Sequence, residues 1–194
     1  MPNLLQFDAA THTYRCGGKV VPSVTQVLEA EGISDFSMVP ADVLAVAQAR
    51  GNAVHLATQY LDEDRLDWST VDESIAGYLA GWEKFKAECS VDILEVERRV
   101  YSSLGYAGTL DRGIRLNGVR ALLDIKTGNP TRAAAIQTAA YHFAHPDKEA
   151  IPLRAAVQLN ADGTYKLHPY SADSMHDLNI FIAALTLYDY KRRK

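Results

Sequence analysis

Two aspartates stand in alternating runs of mostly apolar residues on either side of Asn117-Gly118. Asp111 precedes this dipeptide, Asp124 follows it, and Lys126 comes two residues later. Like charges brought together on a sheet destabilise it, so a compensating interaction is expected. The carboxyl groups could share a proton, Lys126 could neutralise them in an ion pair, or a divalent cation could bind between them. The residue types alone leave these three possibilities open.

The Asn-Gly dipeptide predicts how these residues face one another. Between two alternating runs it indicates a β-hairpin with a two-residue type I′ turn. Counting outward from that turn places Asp111 opposite Asp124, with Cβ atoms roughly 4.5–5.5 Å apart. Lys126 is expected on the same face, which is left for chemistry, while the other face is predicted to be core. Its apolar members are Leu110, Ile114, Leu116, Val119, Ala121, Leu123 and Ile125. Arg112 is the one charged residue in that pattern.

Residues outside the hairpin could contribute to the same site. Glu97 lies on the predicted preceding strand, where a third carboxylate can face the aspartates. Gln137 and Tyr141 are four residues apart on a predicted helix, so they share one helical face. His55 lies on an earlier helix, with Gly51 one turn before it. A glycine inside a helix costs about 1 kcal/mol relative to alanine, which suggests that another group approaches closely there.

The elements that must position these residues follow from hydrophobic periodicity and turn signals. The order is a short hairpin, three helices, three strands, a helix, two strands and a last amphipathic helix. The predicted ranges are 12–15, 19–21, 23–32, 40–63, 71–89, 93–101, 108–115, 119–126, 131–144, 153–159, 164–170 and 171–194. This order predicts an α/β fold with a central mixed β-sheet of about five strands flanked by helices. A single domain is expected, with a hairpin and helices in 1–90, a core in 91–170 and a C-terminal helix in 171–194.

The composition excludes several classes of protein. The chain has 194 residues, of which 47% are hydrophobic, enough to bury a sizeable core. It lacks the ~18 consecutive apolar residues of a membrane span, and its first residues do not resemble a signal peptide. The 2 cysteines are far apart, which argues against a disulfide framework and against a zinc or iron–sulfur cage. A cytoplasmic protein is therefore expected.

The distribution of charge qualifies the net charge. A formal net charge of −4 would by itself argue against a non-specific nucleic-acid binder, which must neutralise phosphates. Between Glu95 and Arg132, however, seven Lys and Arg side chains stand against four Asp and Glu. The sequence therefore predicts a net basic central region.

In these residues the chain resembles the PD-(D/E)xK nuclease superfamily, specifically its RecB-like and phage-exonuclease branch. The resemblance extends from about His12 to Tyr190. It rests on "VPSVTQVL" (21–28), "RGNAVH" (50–55), "VERRVYSSLGYAGTLD" (96–111), "LLDIKTG" (122–128) and "QTAAY" (137–141). Each segment is weak alone, but their order and spacing are specific. A restriction-endonuclease-like core is the fold that this resemblance implies.

The resemblance also implies roles for the residues of the hairpin. Asp111 and Asp124 match the two acids of the motif, and Lys126 matches its catalytic lysine. His55 matches a histidine that such enzymes add to the metal shell. Mg²⁺, with Mn²⁺ able to substitute, would be held by Asp111, Asp124, His55 and the backbone carbonyl of Ile125. Oxygen ligands favour Mg²⁺, and one imidazole keeps Mn²⁺ acceptable.

Further matches lie outside the hairpin, together with two departures from the family pattern. Glu97 matches an upstream acid that completes a second metal site or positions the nucleophile. Gln137 and Tyr141 match a Q-x-x-x-Y motif beside the DNA path. Leu110 stands where the motif's proline would be, which is common in this branch. The iron–sulfur subgroup is excluded because it needs four cysteines and the chain has 2.

The function implied by the resemblance is metal-dependent exonucleolytic hydrolysis of duplex DNA. Relatives of this kind act on duplex ends in phage-type recombination, some as trimeric rings, and the resemblance implies a single-strand annealing or recombinase partner. A bacterial cell or phage-infected host would be the setting. Three alternatives stay open: a structure-specific endonuclease or resolvase, a non-catalytic DNA-binding module, and a metal-independent hydrolase that uses paired aspartates.

Overall fold

The computed structural model describes residues 5–171 and 175–193. The strands in these ranges are β1 (Leu5–Asp8), β2 (Thr13–Cys16), β3 (Lys19–Val21), β4 (Val91–Ser102), β5 (Tyr106–Leu116), β6 (Val119–Lys126), β7 (Leu153–Leu159) and β8 (Tyr165–Ser171). The α-helices are α1 (Val24–Ala30), α2 (Ala41–Asp62), α3 (Glu73–Glu88), α4 (Arg132–Ala144) and α5 (Met175–Arg192). Short 3-10 helices cover Trp68–Thr70 and Lys148–Ala150. None of the helices in the described ranges is both long enough and apolar enough to span a lipid bilayer.

A five-stranded mixed sheet lies at the centre of the fold, in the order β4-β5-β6-β7-β8. Neighbouring strands are antiparallel except β6 and β7, which are parallel. The connection between these two strands contains α4, because parallel neighbours need a crossover that carries the chain back along the sheet. This arrangement confirms the predicted α/β fold class, a mixed sheet flanked by helices.

The N-terminal segment forms a second, three-stranded sheet in the order β1-β2-β3. The sequence predicts the β2–β3 hairpin but not β1. β1 pairs antiparallel with β2 and places Phe7 opposite Tyr14, with 4.6 Å between the ring centroids. This aromatic contact holds the added strand against the hairpin.

Local signals account for the first helix and for the central hairpin. Ser23 caps α1 through a reciprocal pair of hydrogen bonds, in which the Gln26 N–H donates to Ser23 Oγ and the Ser23 N–H donates to Gln26 Oε1. Asn117 and Gly118 adopt φ values of 48° and 83°, the two positive values that a type I′ turn requires. β6 therefore returns alongside β5 in the predicted register.

Helices cover both faces of the central sheet. On one face, Ile114 and Leu123 pack in a cluster with Leu79 of α3. On the other face, Leu122 packs in a cluster with Phe181 of α5 and with residues of α1 and α4. The prediction that the aspartate face is free for chemistry is therefore wrong along most of the hairpin. Because α1, α4 and α5 cover that face, only the end of the hairpin near Asp111 can hold a site.

The facing of side chains along β5 changes at Asp111. Leu110 packs in the cluster with α1, α4 and α5, whereas Ile114, also at an even position, packs in the cluster with α2 and α3. The β4–β5 pairing omits Glu97 and Asp111, and Glu97 has a left-handed φ of 48°. The prediction that Leu110 and Ile114 share one face of the sheet is wrong, because the interruption of the strand pairing at Asp111 lies between them. Val119, also predicted to be core, is exposed beside the turn.

Candidate metal centre

The β5–β6 hairpin brings Asp111 and Asp124 to the same level of the sheet. Five residue pairs join the strands in the predicted register, ending with Arg112 opposite Leu123. The two aspartates occupy the next position, where the pairing stops. The N–H of Ile125 donates instead to Oδ2 of Asp111, at 2.7 Å. Among the described side chains no hydrogen bond joins the carboxyl groups of Asp111 and Asp124.

Three different elements contribute side chains to a cluster around Asp111. His55 comes from α2, Glu97 from β4 and Asp111 from β5, and each offers a ligand atom within 4.8 Å of the other two. Nδ1 of His55 lies 3.6 Å from Oδ2 of Asp111. The left-handed backbone of Glu97 is uncommon for a residue with a side chain, and it aims the carboxylate at this cluster. The sequence predicts all three residues at the site, and the structure brings them together.

Asp124 contacts Lys126 rather than the histidine cluster. Nζ of Lys126 donates a hydrogen bond to Oδ1 of Asp124 at 3.1 Å and lies 2.9 Å from Oδ2. The second contact is an ion pair with a buried oxygen. The Asp124 side chain is only 2% exposed. A carboxylate oxygen has two lone pairs, so Oδ2 can accept a further positive ligand beside the ammonium.

The electrostatics of the site reflect the crowding of carboxylates. Burial raises the pKa of Glu97 to about 7, and the charge of Asp111 adds to the effect. Burial also raises the pKa of Asp124 to about 6, against the opposing attraction of Lys126. Burial disfavours the charged form of Lys126, but Asp124 and Asp111 outweigh it and hold the pKa of the lysine above its ordinary value. The lysine therefore stays protonated at neutral pH.

Gln137 and Tyr141 continue the line of polar side chains from Lys126. Nζ of Lys126 donates to Oε1 of Gln137 at 3.4 Å, and Nε2 of Gln137 donates to the hydroxyl of Tyr141 at 3.2 Å. The two residues lie on one face of α4, as their spacing predicts. Gly108 allows the Tyr141 ring to pack against β5, because a Cβ atom at this position would collide with the ring.

The cluster opens into a cleft of about 590 Å³. A neighbouring cavity of about 340 Å³ extends it past Lys126 along the loop at residues 127–131. The first cleft is lined by His12, Tyr14, Ser23, Thr25, Gln26, Glu29, Asn52, His55, Glu97, Gly108, Thr109, Asp111, Gln137 and Tyr141. Thr25, Glu29 and Gln137 line both spaces, so one continuous groove passes the carboxylates and the lysine.

The residues present fit a hard divalent cation. Carboxylate oxygens of Glu97 and Asp111 and one imidazole nitrogen converge, and the charge of Asp111 acts on the buried carboxylate of Asp124. Mg²⁺ prefers oxygen ligands, and the imidazole also suits Mn²⁺. Ile125, the predicted carbonyl ligand, is held at the site by its N–H contact with Asp111. The close crowding of carboxylates supplies the negative potential that a cation requires.

One other prediction is not supported by the packing. A Cβ atom at Gly51 would meet only Thr127 Oγ1, at an ordinary 3.8 Å, so no close approach within the described residues requires this glycine. The net basic region keeps its excess of positive charge, although many of its cationic side chains also have acidic neighbours. The paired cationic residues are Arg98, Arg112, Arg115, Arg120 and Lys126.

Arg112 and Asp62 are parts of the site that the sequence does not reveal. The Arg112 side chain is fully buried and pairs with Asp62 of α2, with 2.7 Å between Nε and Oδ2. Nη1 of Arg112 also lies 3.2 Å from Oε1 of Glu97. The sequence signals Arg112 only as a charged residue at a predicted core position. Nothing in the spacing of the sequence connects it to Asp62, fifty residues earlier.

Comparisons with known proteins add little to this description. No family model matches the chain, and no curated protein matches it in sequence. Among solved structures, the crystal structure of SSO0001 aligns with 74% of this chain and 75% of that chain, at 12% identity and a TM-score of 0.37. A likeness at this level carries no conclusion about function. The candidate function therefore depends on the geometry and chemistry of the site.

Proposed function

We propose that the protein is a metal-dependent deoxyribonuclease, an exonuclease that hydrolyses phosphodiester bonds of duplex DNA. The observation that supports this proposal is the convergence of His55, Glu97 and Asp111 beside the buried Asp124–Lys126 pair, at the wall of an open groove. Phosphoryl transfer is promoted by a bound metal ion and by a fixed positive charge that stabilises the transition state. This site places ligands for a hard cation beside a fixed ammonium group. The resemblance to PD-(D/E)xK nucleases agrees with this assignment.

In the proposed mechanism, His55, Asp111, Asp124 and the carbonyl of Ile125 would hold Mg²⁺ or Mn²⁺. The bound cation would polarise the scissile phosphate and lower the pKa of a water molecule. Lys126 stays protonated because Asp124 and Asp111 hold its pKa high, so its ammonium can stabilise the negative charge that develops on the phosphate.

The remaining polar residues would position the reactants. Glu97, whose pKa is raised by burial to about 7, can accept a hydrogen bond or a proton from the attacking water at neutral pH. Gln137 and Tyr141 extend from Lys126 along the groove wall, where amide and hydroxyl groups can bind the sugar–phosphate backbone of one strand. These contacts would fix the register of the strand without reading its sequence.

The preference for DNA ends belongs to the proposal and comes from the family resemblance. A trimeric ring would supply positive surface that one acidic chain lacks, and a single-strand annealing or recombinase protein would act on the product strand. The proposed setting is the cytoplasm of a bacterial or phage-infected cell, in DNA recombination or processing.

The test uses linear and covalently closed duplex DNA with the unaltered protein, Lys126→Ala and the control Lys84→Ala. Lys84 is half-exposed on α3 and lies outside the groove. We expect cleavage of the linear duplex with Mg²⁺ and none with EDTA, and loss of cleavage by about 10²–10³-fold in Lys126→Ala. Binding of the duplex in Ca²⁺, measured by fluorescence anisotropy, should be largely retained in this variant.

Three outcomes would contradict parts of the proposal. Nicking of the closed circle would indicate an endonuclease on the same site. Cleavage that survives EDTA would exclude a metal-dependent mechanism. Cleavage by Lys126→Ala at the rate of Lys84→Ala would remove the lysine from the chemistry.

A further inference from the structure

Arg112 makes more polar contacts than any single one of the proposed ligands, although it faces away from the groove. Its Nε donates to Oδ2 of Asp62 at 2.7 Å, and its Nη1 donates to Oε1 of Glu97 at 3.2 Å and to the carbonyl of Asp111 at 2.7 Å. Its Nη2 donates to Oγ1 of Thr58 at 3.2 Å. The guanidinium thus reaches two residues of the His55–Glu97–Asp111 cluster directly.

His55, the third residue of the cluster, is connected through the same network. Oγ1 of Thr58, which accepts from Arg112, donates to the backbone carbonyl of His55 at 3.0 Å. His55, Thr58 and Asp62 lie three and four residues apart on α2 and therefore share one face. Arg112 consequently contacts all three elements that supply the cluster: α2, β4 and β5.

Asp62 anchors the guanidinium from the opposite side. Its Oδ1 accepts from Nε1 of Trp82 at 2.9 Å and from Nζ of Lys86 at 2.7 Å, both on α3. A guanidinium is a planar fork with fixed donor directions, so a lysine cannot reproduce its contacts with three elements. The network thereby fixes α2 relative to the two strands.

Stability alone does not explain this arrangement. Replacing a buried ion pair with apolar residues is often neutral or stabilising, so such pairs are weak contributors to the free energy of folding. Glu97 also has a left-handed backbone that must be held by its surroundings. Both features concentrate at the position where the β4–β5 pairing is interrupted.

We propose that Arg112, anchored by Asp62, is a positioning residue that sets the spacing of His55, Glu97 and Asp111 for a divalent cation. Arg112 does not touch the cation or the DNA. This inference rests on the proposed function, because it assumes that the cluster binds Mg²⁺ or Mn²⁺. The expected consequence of disturbing the network is weaker metal binding in a protein that still folds.

The test measures Mn²⁺ affinity by the electron paramagnetic resonance signal of free Mn²⁺, with no DNA present. Arg112→Lys keeps the positive charge but loses the planar guanidinium with its fixed donor directions. The double variant Arg112→Met/Asp62→Asn removes both charges and leaves an amide oxygen for Trp82. Thermal unfolding in EDTA reports whether each variant folds.

Arg154 provides a matched control. It is also buried, and it pairs with an acid, a threonine hydroxyl and backbone carbonyls. Its partners are Asp177, Thr138, Ala135 and Ser171, none of which belongs to the cluster. Arg154→Lys should therefore cost a similar amount of stability and leave Mn²⁺ affinity unchanged.

We expect roughly 10–100-fold weaker Mn²⁺ binding in both Arg112 variants, the range found when a group that orients metal ligands is removed. Unchanged affinity in Arg112→Lys and in the double variant would overturn the positioning role and leave the nuclease proposal standing. Equal weakening in Arg154→Lys would also overturn it, because general loosening would then explain the effect. Failure of the unaltered protein to bind Mn²⁺ would overturn both proposals.

Discussion

The carboxylate of Glu97 makes the metal-free protein less stable as pH rises. Burial, with a contribution from Asp111, raises its pKa from 4.5 to about 7. An acid whose pKa is higher in the folded state binds its proton more tightly in that state than in the unfolded chain. The protonated Glu97 therefore contributes its full stabilisation below pH 4.5, and this stabilisation is lost as pH rises through about 7. Replacing the carboxylate with an amide should therefore stabilise the protein at alkaline pH and change little at acidic pH.

The magnitude follows from the pKa and the exposure of the side chain. A pKa raised from 4.5 to about 7 corresponds to about 3 kcal/mol of unfolding free energy between fully protonated and fully ionised protein. The side chain is 31% exposed, and solvent screening reduces the effect to about 1–2 kcal/mol. Glutamine keeps an oxygen that can accept from Arg112, so Glu97→Gln preserves the hydrogen bond while removing the charge.

The assay is urea unfolding in EDTA at about pH 5 and about pH 8 for the unaltered protein and Glu97→Gln. We expect similar midpoints at the lower pH and a midpoint about 0.5 M higher for Glu97→Gln at the higher pH. Asp92→Asn, which removes an exposed carboxylate from the same strand, serves as the control and should show no such dependence. The reasoning would be refuted if the urea midpoints of Glu97→Gln and the unaltered protein differed by the same amount at both pH values.

Three further predictions concern the metal, the groove and one glycine. In calorimetry, saturating Mg²⁺ or Mn²⁺ should raise the melting temperature by roughly 5–10 °C, which is the increase expected for a ligand at about 100 times its Kd. Asp111→Asn should abolish this increase. Tyr141→Phe removes a groove hydroxyl without changing the ring, so steady-state cleavage should show a higher KM and a nearly unchanged kcat; a large fall in kcat alone would contradict a binding role. Gly108→Ala should destabilise the protein by about 1–3 kcal/mol in urea unfolding, because the new methyl group collides with the Tyr141 ring. Gly128→Ala, whose Cβ meets nothing within 4 Å, is the control for that change.

Local chemistry made a large part of the fold predictable. Asn117 and Gly118 tolerate positive φ, so the turn and the register of β5 and β6 follow from two adjacent residues. The bounds of β6 and β7 agree with their alternating or continuously apolar runs, and α4 ends at Ala144, two residues before a proline. The hairpin register names Asp111 and Asp124, and helical spacing pairs Gln137 with Tyr141, whereas the roles of His55 and Glu97 are what the family resemblance implies.

The rest of the site depends on contacts between distant parts of the chain. Alternation along β5 predicts one continuous face, and nothing in that pattern indicates that the pairing is interrupted at Asp111. The left-handed backbone of Glu97 is likewise set by its neighbours, because glutamate has no intrinsic preference for it. Arg112 was visible only as a charge in an apolar pattern, and its partner Asp62 is brought to it by the docking of α2.

Two features of the site depart from ordinary local structure. The strand pairing omits Glu97 and Asp111, and Glu97 adopts a left-handed backbone. Other left-handed residues and a shift of the β4–β5 register between Ile93 and Glu95 lie elsewhere in the described chain, so the particular feature of this place is that the departures coincide with crowded carboxylates. Strain at a place that also gathers carboxylates supports the proposal that a cation binds there. A bound cation would offset the repulsion between Glu97 and Asp111, which contributes to the raised pKa of Glu97.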